Sequence, residues 1–202
     1  MNCKRLNIHD YVIVCGGAKR THLVGDVLYL RCGDNYCDLP EKMLTLYKVF
    51  SRYFPQAKGL FKVDDDVILL SKDLFKSLSK KGQDYSGVFA MDLFEHHGDW
   101  HIGRCPGSEW NRKKINCKRW NESHLNLFHN ISVLGGGETY WVSRNSIDAI
   151  NSVKVDPKTH VLEDVLVGSI LASKGLYAIV PKGVSFRDDT LYVGRKKVAV
   201  IN

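Results

Sequence analysis

Three consecutive aspartates, Asp64, Asp65 and Asp66, are the side chains of this sequence best suited to binding a cation. They lie within residues 61–70, FKVDDDVILL, where apolar neighbours indicate partial burial. In an extended segment Asp64 and Asp66 share a face, while Asp65 points elsewhere. Crowded carboxylates repel one another, and an oxygen-preferring cation such as Mg²⁺ or Mn²⁺ removes that repulsion. The stretch therefore predicts a divalent-cation site, with an acidic turn after a strand as the alternative.

A second acidic pair, Glu163 and Asp164, lies between apolar residues in 161–168, VLEDVLVG. The pair stands at the start of a predicted helix, where the helix dipole and free N–H groups favour negative charge. Two roles fit this position. The carboxylates can simply cap the helix, or one of them can serve as a general base that takes a proton from a hydroxyl.

Gly135, Gly136 and Gly137 form a third candidate, in the stretch LGGGE at 134–138. Glycines let the backbone approach a ligand closely and expose N–H groups to its oxygen atoms, but they also simply make turns. The sequence contains no GxxxxGK[ST] stretch, so a P-loop nucleotide hydrolase has no support.

Alternating strand-like and helical patterns predict an α/β domain that would position these residues. In the helix predicted at 38–53, Asp38 is the candidate cap, Pro40 is tolerated in the first turn and Glu41 completes a capping box. Residues 92–133 are polar and irregular, as is typical of a binding loop or lid. The predicted strands are 11–15, 27–31, 60–63, 85–91, 139–142 and 176–180, and further helices start at Ser71 and cover 164–174.

Composition narrows the class of protein. The chain has 202 residues, is 44% hydrophobic and has no apolar run long enough to cross a membrane. The formal charge of +7 favours an anionic partner, such as a nucleotide phosphate, a nucleic acid or a membrane surface. One alternative is single-stranded nucleic acid bound by the basic residues of 112–119, with Trp110 and Trp120 as stacking partners. The six cysteines show no CxxC pair, which argues against a zinc site.

Three of these stretches occur in a recognisable order: DDDV, then GGGETYWVSR, then EDVLVG. Upstream, GDNYCDLPEK at 33–42 is similar to a DxYxNLTxK pattern. Together they resemble the inverting β-1,3-glycosyltransferase family, which contains β-1,3-galactosyltransferases, β-1,3-N-acetylglucosaminyltransferases and, more distantly, Fringe. The resemblance extends from about Val27 to Gly168.

The resemblance implies a single catalytic domain over residues 1–202 with a GT-A, Rossmann-like α/β fold, in which helices flank a mostly parallel mixed central sheet. It also implies transfer of a galactose, N-acetylglucosamine or other hexose from a UDP-sugar to a hydroxyl of a glycan or glycoprotein acceptor. Mn²⁺ or Mg²⁺ is the implied cofactor. No nucleic-acid partner and no membrane span are expected.

Residue roles follow from the same resemblance, position by position. It implies Asp164 as the general base, with Glu163 as the first candidate should the base lie elsewhere. The implied metal ligands are Asp66, Asp64 and, in place of a family histidine that this chain lacks after His160, Asp189 (or Asp188). The donor-binding residues expected on this basis are Asp64, Asp65, Lys42, Gly135, Gly136 and Gly137, and Lys19 and Arg20 are added as candidates from outside the family pattern.

Two departures from the family pattern leave alternatives open. The arginine-rich RxxxRxTW block that usually precedes the first strand is missing, and Lys19 and Arg20 are the candidate replacements. A catalytically silent module that binds a nucleotide sugar or a glycan on the same fold is therefore the alternative function. Because no anchor is evident, a soluble cytoplasmic protein of viral or microbial type is expected, or a Golgi-lumenal one if the chain is a trimmed catalytic domain.

Overall fold

The computed structural model describes residues 6–8, 10–35, 38–88, 138–157, 163–187 and 190–201. Its helices are α1 (Leu39–Tyr53), α2 (Asp73–Leu78), α3 (Arg144–Asn151) and α4 (Glu163–Ser173). Its strands are β1 (Ile13–Cys15), β2 (His22–Val24), β3 (Val27–Tyr29), β4 (Gly59–Val63), β5 (Val67–Leu69), β6 (Tyr85–Gly87), β7 (Thr139–Ser143), β8 (Val184–Arg187), β9 (Thr190–Val193) and β10 (Lys196–Ile201). The prediction of a mixed α/β chain is confirmed.

The strands form three small sheets, with orders β1-β3-β2, β4-β7-β6 and β5-β10-β9-β8. Among the described strands only β1 and β3 pair in parallel, and every other pair is antiparallel. The prediction of one mostly parallel sheet is therefore wrong for this part of the chain. The physical reason is clearest in β8, β9 and β10, because only two residues separate each strand from the next, and strands with so short a connection must run antiparallel.

Helix α1 is the best-predicted element. Its bounds match the predicted 38–53, Pro40 lies in the first turn, and Met43, Tyr47 and Phe50 are buried as their helical spacing indicates. The predicted capping by Asp38 is wrong. The Asp38 carboxylate makes no cap bond and instead accepts hydrogen bonds from the backbone and side-chain nitrogens of Asn35, at 2.9 and 3.0 Å.

Helix α4 begins at Glu163, close to the predicted start, and is apolar on nearly every side. Such a helix belongs in a protein interior. It packs with α1, α3 and β7 in the larger of two apolar clusters, and that cluster includes Tyr47, Tyr140 and Ile170. The acidic pair at the start of α4 therefore lies at the edge of this apolar cluster.

Several elements escaped prediction. These are helix α3, strands β2 and β5 and the hairpins of β8 to β10, all of which are short segments. The basic residues of 195–197 belong to the turn before β10 and to its start, and Lys196 pairs with Asp73 at 2.6 Å. The strand predicted at 176–180 is reduced to one parallel bridge between Ser86 and Ile179. None of the described helices is both long and apolar enough to span a membrane.

Candidate active site

Strands β4 and β7 build the floor of the candidate site. Their antiparallel register places Lys62 opposite Tyr140 and Val63 opposite Thr139, and it continues as the Asp64 backbone N–H donates to the Glu138 carbonyl at 3.0 Å. Side chains two positions apart on a strand share a face. Lys62 and Asp64 are two positions apart on one segment, and Glu138 and Tyr140 are two positions apart on the other. Because Lys62 lies opposite Tyr140, all four side chains belong to the same side of the sheet.

The first turn of α4 faces these residues. The Glu163 carboxylate, 5% exposed, pairs with the Lys62 ammonium at 2.9 Å through Oε1 and accepts a hydrogen bond from the Tyr140 hydroxyl at 3.0 Å through Oε2. The Tyr140 hydroxyl also lies 3.2 Å from that of Tyr47. Burial raises the pKa of both tyrosines well above the ordinary value, so both hydroxyls keep their protons.

Lys62 joins the two acidic motifs. Its Nζ lies 2.5 Å from Asp64 Oδ1 as well as 2.9 Å from Glu163 Oε1. Burial alone would lower the pKa of Lys62, but the carboxylates of Glu163 and Asp64 outweigh it and the pKa is raised. The lysine is therefore a permanent ammonium bridge between strand β4 and helix α4.

Burial has the opposite consequence for the acids of this bridge. It raises the pKa of Glu163, against the lowering effect of Lys62 and with a further increase from Asp164. It likewise raises the pKa of Asp64, which Lys62 lowers and the charges of Glu163 and Asp66 raise. Within the described residues, Glu163 and Asp64 thus share Lys62 as their counter-ion.

Asp164 differs from its neighbour Glu163 in exposure, because it is only partly buried. Its Oδ1 accepts a hydrogen bond from the backbone N–H of Val165 at 2.8 Å. Burial raises the pKa of Asp164, the Val165 hydrogen bond and Lys62 oppose that rise, and Glu138 adds to it. A carboxylate with a raised pKa is a stronger proton acceptor than an ordinary aspartate, which suits a general base.

The three aspartates do not lie on a continuous strand. β4 ends at Val63, and the chain turns through Asp65 and Asp66, with the Val67 N–H donating to the Asp64 carbonyl at 3.3 Å. The extended-strand argument for a common face of Asp64 and Asp66 is therefore wrong. Asp64 is partly buried against Lys62, whereas Asp65 and Asp66 are exposed on the turn.

Glu138 was not singled out by sequence reasoning, although it follows the three glycines. Its Oε2 is buried and has no hydrogen-bond partner among the described residues. Lys62 and Tyr140 were missed as well. The signal available for all of them was alternation, since Lys62 with Asp64, and Glu138 with Tyr140, are polar pairs two residues apart at the ends of apolar strands.

A second polar group lies after β1. The Asp34 carboxylate forms an ion pair with Lys42 of α1 and accepts a hydrogen bond from the Gly16 N–H at 3.0 Å. The hydrogen bond from Lys42 is the main reason that the pKa of Asp34 is lowered. A Cβ on Gly16 would stand 2.2 Å from the Gly33 carbonyl oxygen, so only glycine allows this close approach.

The predicted donor-binding cations occupy different settings. Lys42 is largely buried against Asp34, whereas Lys19 and Arg20 are exposed beyond the end of β1. Predictions for Gly135, Gly136, Gly137 and Asp189 fall outside the described residues, as do those for Asp188, the 92–133 segment and its basic and tryptophan residues.

A metal ion can be considered from the described acids alone. Within the described ranges, no group of three or more His, Cys, Asp or Glu side chains is arranged to hold one. Magnesium-like ions, however, are often held by one or two carboxylates plus substrate phosphates. Asp66 is exposed and Asp64 partly exposed, so both carboxylates can be reached from solvent.

Comparison with known protein families decides the class. The family model described as Galactosyltransferase matches residues 17–180. This chain belongs to the galactosyltransferase family. A search of curated proteins returned no match. The matched segment contains both acidic motifs, Glu138, Lys42, Lys19 and Arg20, and it ends before Asp189. The predicted membership of a β-1,3-glycosyltransferase-like family is confirmed.

Proposed function

We propose that this galactosyltransferase-family chain is an inverting hexosyltransferase. It takes a galactose, N-acetylglucosamine or related sugar from a UDP-sugar and transfers it to a hydroxyl of a glycan or glycoprotein acceptor. The observation that carries the proposal is the Lys62 bridge, 2.5 Å from Asp64 and 2.9 Å from Glu163. It brings the aspartate turn and the start of α4 into one site on a chain of this family.

Asp164 is the proposed general base. It accepts the proton of the acceptor hydroxyl as that oxygen attacks the anomeric carbon from the face opposite the departing UDP. One displacement with attack from the opposite face inverts the anomeric configuration. The raised pKa of Asp164, which follows mainly from burial, strengthens the carboxylate as a proton acceptor at neutral pH.

Asp66 and Asp64 are the residues that would hold Mn²⁺ or Mg²⁺, with Asp189 as a further candidate. When bound, such an ion would neutralise charge on the diphosphate of the leaving group. Asp65 lies on the same exposed turn and would face the donor.

The segment that follows β1 would form the floor of the nucleotide site. There Lys42 fixes Asp34, and Asp34 in turn holds the Gly16 N–H. Lys19 and Arg20 are exposed nearby in sequence and would supply positive charge for the diphosphate. The glycines of 135–137 would approach the transferred sugar.

The test is UDP release from a panel of UDP-sugars, with Mn²⁺ and with EDTA, in the presence of glycan acceptors. The proposal expects release with at least one donor and its loss when the metal is chelated. Calorimetry on the same donors separates the alternatives. Donor binding without release would instead indicate the catalytically silent module, and absence of both would refute the proposal.

A further inference from the structure

The contacts of Glu163 differ from those expected of a catalytic base, whose carboxylate must be open to the proton that it takes. Both of its carboxylate oxygens make a contact, Oε1 with Lys62 at 2.9 Å and Oε2 with Tyr140 at 3.0 Å, and the side chain is 6% exposed. Tyr140 is itself fully buried and is held by Tyr47 on α1 at 3.2 Å. A buried carboxylate with a contact on each oxygen is poorly placed to take a proton from an acceptor hydroxyl.

The two groups that hold Glu163 belong to paired strands of one sheet. Lys62 and Tyr140 are opposite each other in the β4–β7 ladder, so the first residue of α4 is fastened to two neighbouring strands. Lys62 also contacts Asp64, at the start of the aspartate turn. Lys62 thus links strand β4, the aspartate turn and the first residue of α4.

Asp164 follows Glu163 directly on the same helix, so anchoring Glu163 fixes the backbone position of Asp164 and the direction of its Cα–Cβ bond. Asp164 is less buried than Glu163, and its Oδ1 accepts the hydrogen bond from the Val165 N–H. Catalytic groups lose activity when they are displaced by about 1 Å, because reacting atoms must be held in line.

We propose that Glu163 is a positioning residue, and that Lys62 and Tyr140 hold it so that Asp164 faces the acceptor hydroxyl. This inference rests on the proposed glycosyl transfer. It assigns the acidic pair two different roles: Glu163 orients, and Asp164 takes the proton.

The test compares two substitutions at each acid in single-turnover transfer with a saturating donor. Glu163→Gln keeps the volume and can still accept from Tyr140, whereas Glu163→Ala removes the anchor. The transfer rate is expected to fall less than about 10-fold in Glu163→Gln and about 10²-fold in Glu163→Ala. Asp164→Asn and Asp164→Ala are both expected to fall by about 10²–10⁴-fold. UDP affinity, measured by calorimetry, should stay within about threefold of the wild type in all four.

A milder variant and a double variant distinguish the proposed positioning role from a loss of rate caused by misfolding. Tyr140→Phe removes one hydroxyl and should lower the rate about 3–10-fold without changing the donor KM. Tyr53→Phe removes a hydroxyl that bonds to the Thr21 carbonyl at 3.2 Å and should leave the rate unchanged. Because Glu163 acts through Asp164, adding Glu163→Gln to Asp164→Asn should cause no further loss.

The outcomes separate the inference from the function on which it rests. Equal, severe losses in Glu163→Gln and Glu163→Ala would make Glu163 the base and overturn the inference while the transferase function stands. Full additivity of the double variant would also overturn it. If the wild type transfers sugar from none of the donors, both the inference and the proposed function are refuted.

Discussion

Replacing Lys62 by methionine should be among the most destabilising changes at this site. Lys62 and Glu163 side chains are 12% and 6% exposed, so the substitution leaves a buried carboxylate without its counter-ion. Removing one partner of a buried ion pair costs about 3–5 kcal/mol. The contact with Asp64, whose side chain is 40% exposed, adds less than about 1 kcal/mol because solvent screens it.

The cost should depend on pH in a definite direction. Without Lys62, burial raises the pKa of Glu163 further, and a protonated Glu163 is tolerated in the interior. In the wild type, acid protonates Glu163 and Asp64 and weakens the same two pairs. The difference in free energy of unfolding between Lys62→Met and the wild type should therefore be larger at pH 8 than at pH 5.

Urea denaturation followed by tryptophan fluorescence at the two pH values measures this difference. Lys48→Met is the matched control, because Lys48 is an exposed lysine on α1 and its loss should change stability by less than about 0.5 kcal/mol. A Lys62→Met cost below about 1 kcal/mol at pH 8, or a larger cost at pH 5 than at pH 8, would refute the bridge as described.

Three further predictions follow from the site. Because burial raises the pKa of Asp164, kcat should decline with falling pH at a higher pH than an ordinary aspartate would give, and a profile flat down to pH 4 would contradict its role as base. Asp66→Ala should abolish the Mn²⁺-dependent part of UDP binding in calorimetry, whereas Asp148→Ala, at an exposed carboxylate of α3, should leave it intact; equal binding by both would remove Asp66 from the metal site. Gly16→Ala places a Cβ 2.2 Å from the Gly33 carbonyl oxygen and should lower the free energy of unfolding by about 1–3 kcal/mol, and an unchanged urea midpoint would contradict the close approach.

Local patterns in the sequence were sufficient for the elements that carry the acidic motifs. Helix α1 was predictable because its buried aromatics repeat at helical spacing, and β4 because an apolar run precedes the aspartates. The start of α4 was visible as an acidic pair before apolar residues. Each of these signals lies within one segment of the chain.

The centre of the site was not predictable in this way. The partnership of Lys62 with Glu163 and Tyr140 depends on which strand pairs with β4 and in which register. Alternation shows that Lys62 and Asp64 share a face, but not what covers that face. Part of the sheet topology was missed for the same reason, because the antiparallel pairs β4–β7 and β5–β10 join segments that lie far apart in the chain.

The central claim, inverting sugar transfer with Asp164 as base, is tested most directly by following the product of one turnover by NMR. The wild type should give a single anomer, opposite in configuration to the UDP-sugar. Asp164→Asn should still bind UDP but form that product about 10²–10⁴-fold more slowly, while Asp148→Asn, at an exposed carboxylate, behaves as the wild type. Retained configuration in the product, or a near-normal rate in Asp164→Asn, would contradict the account.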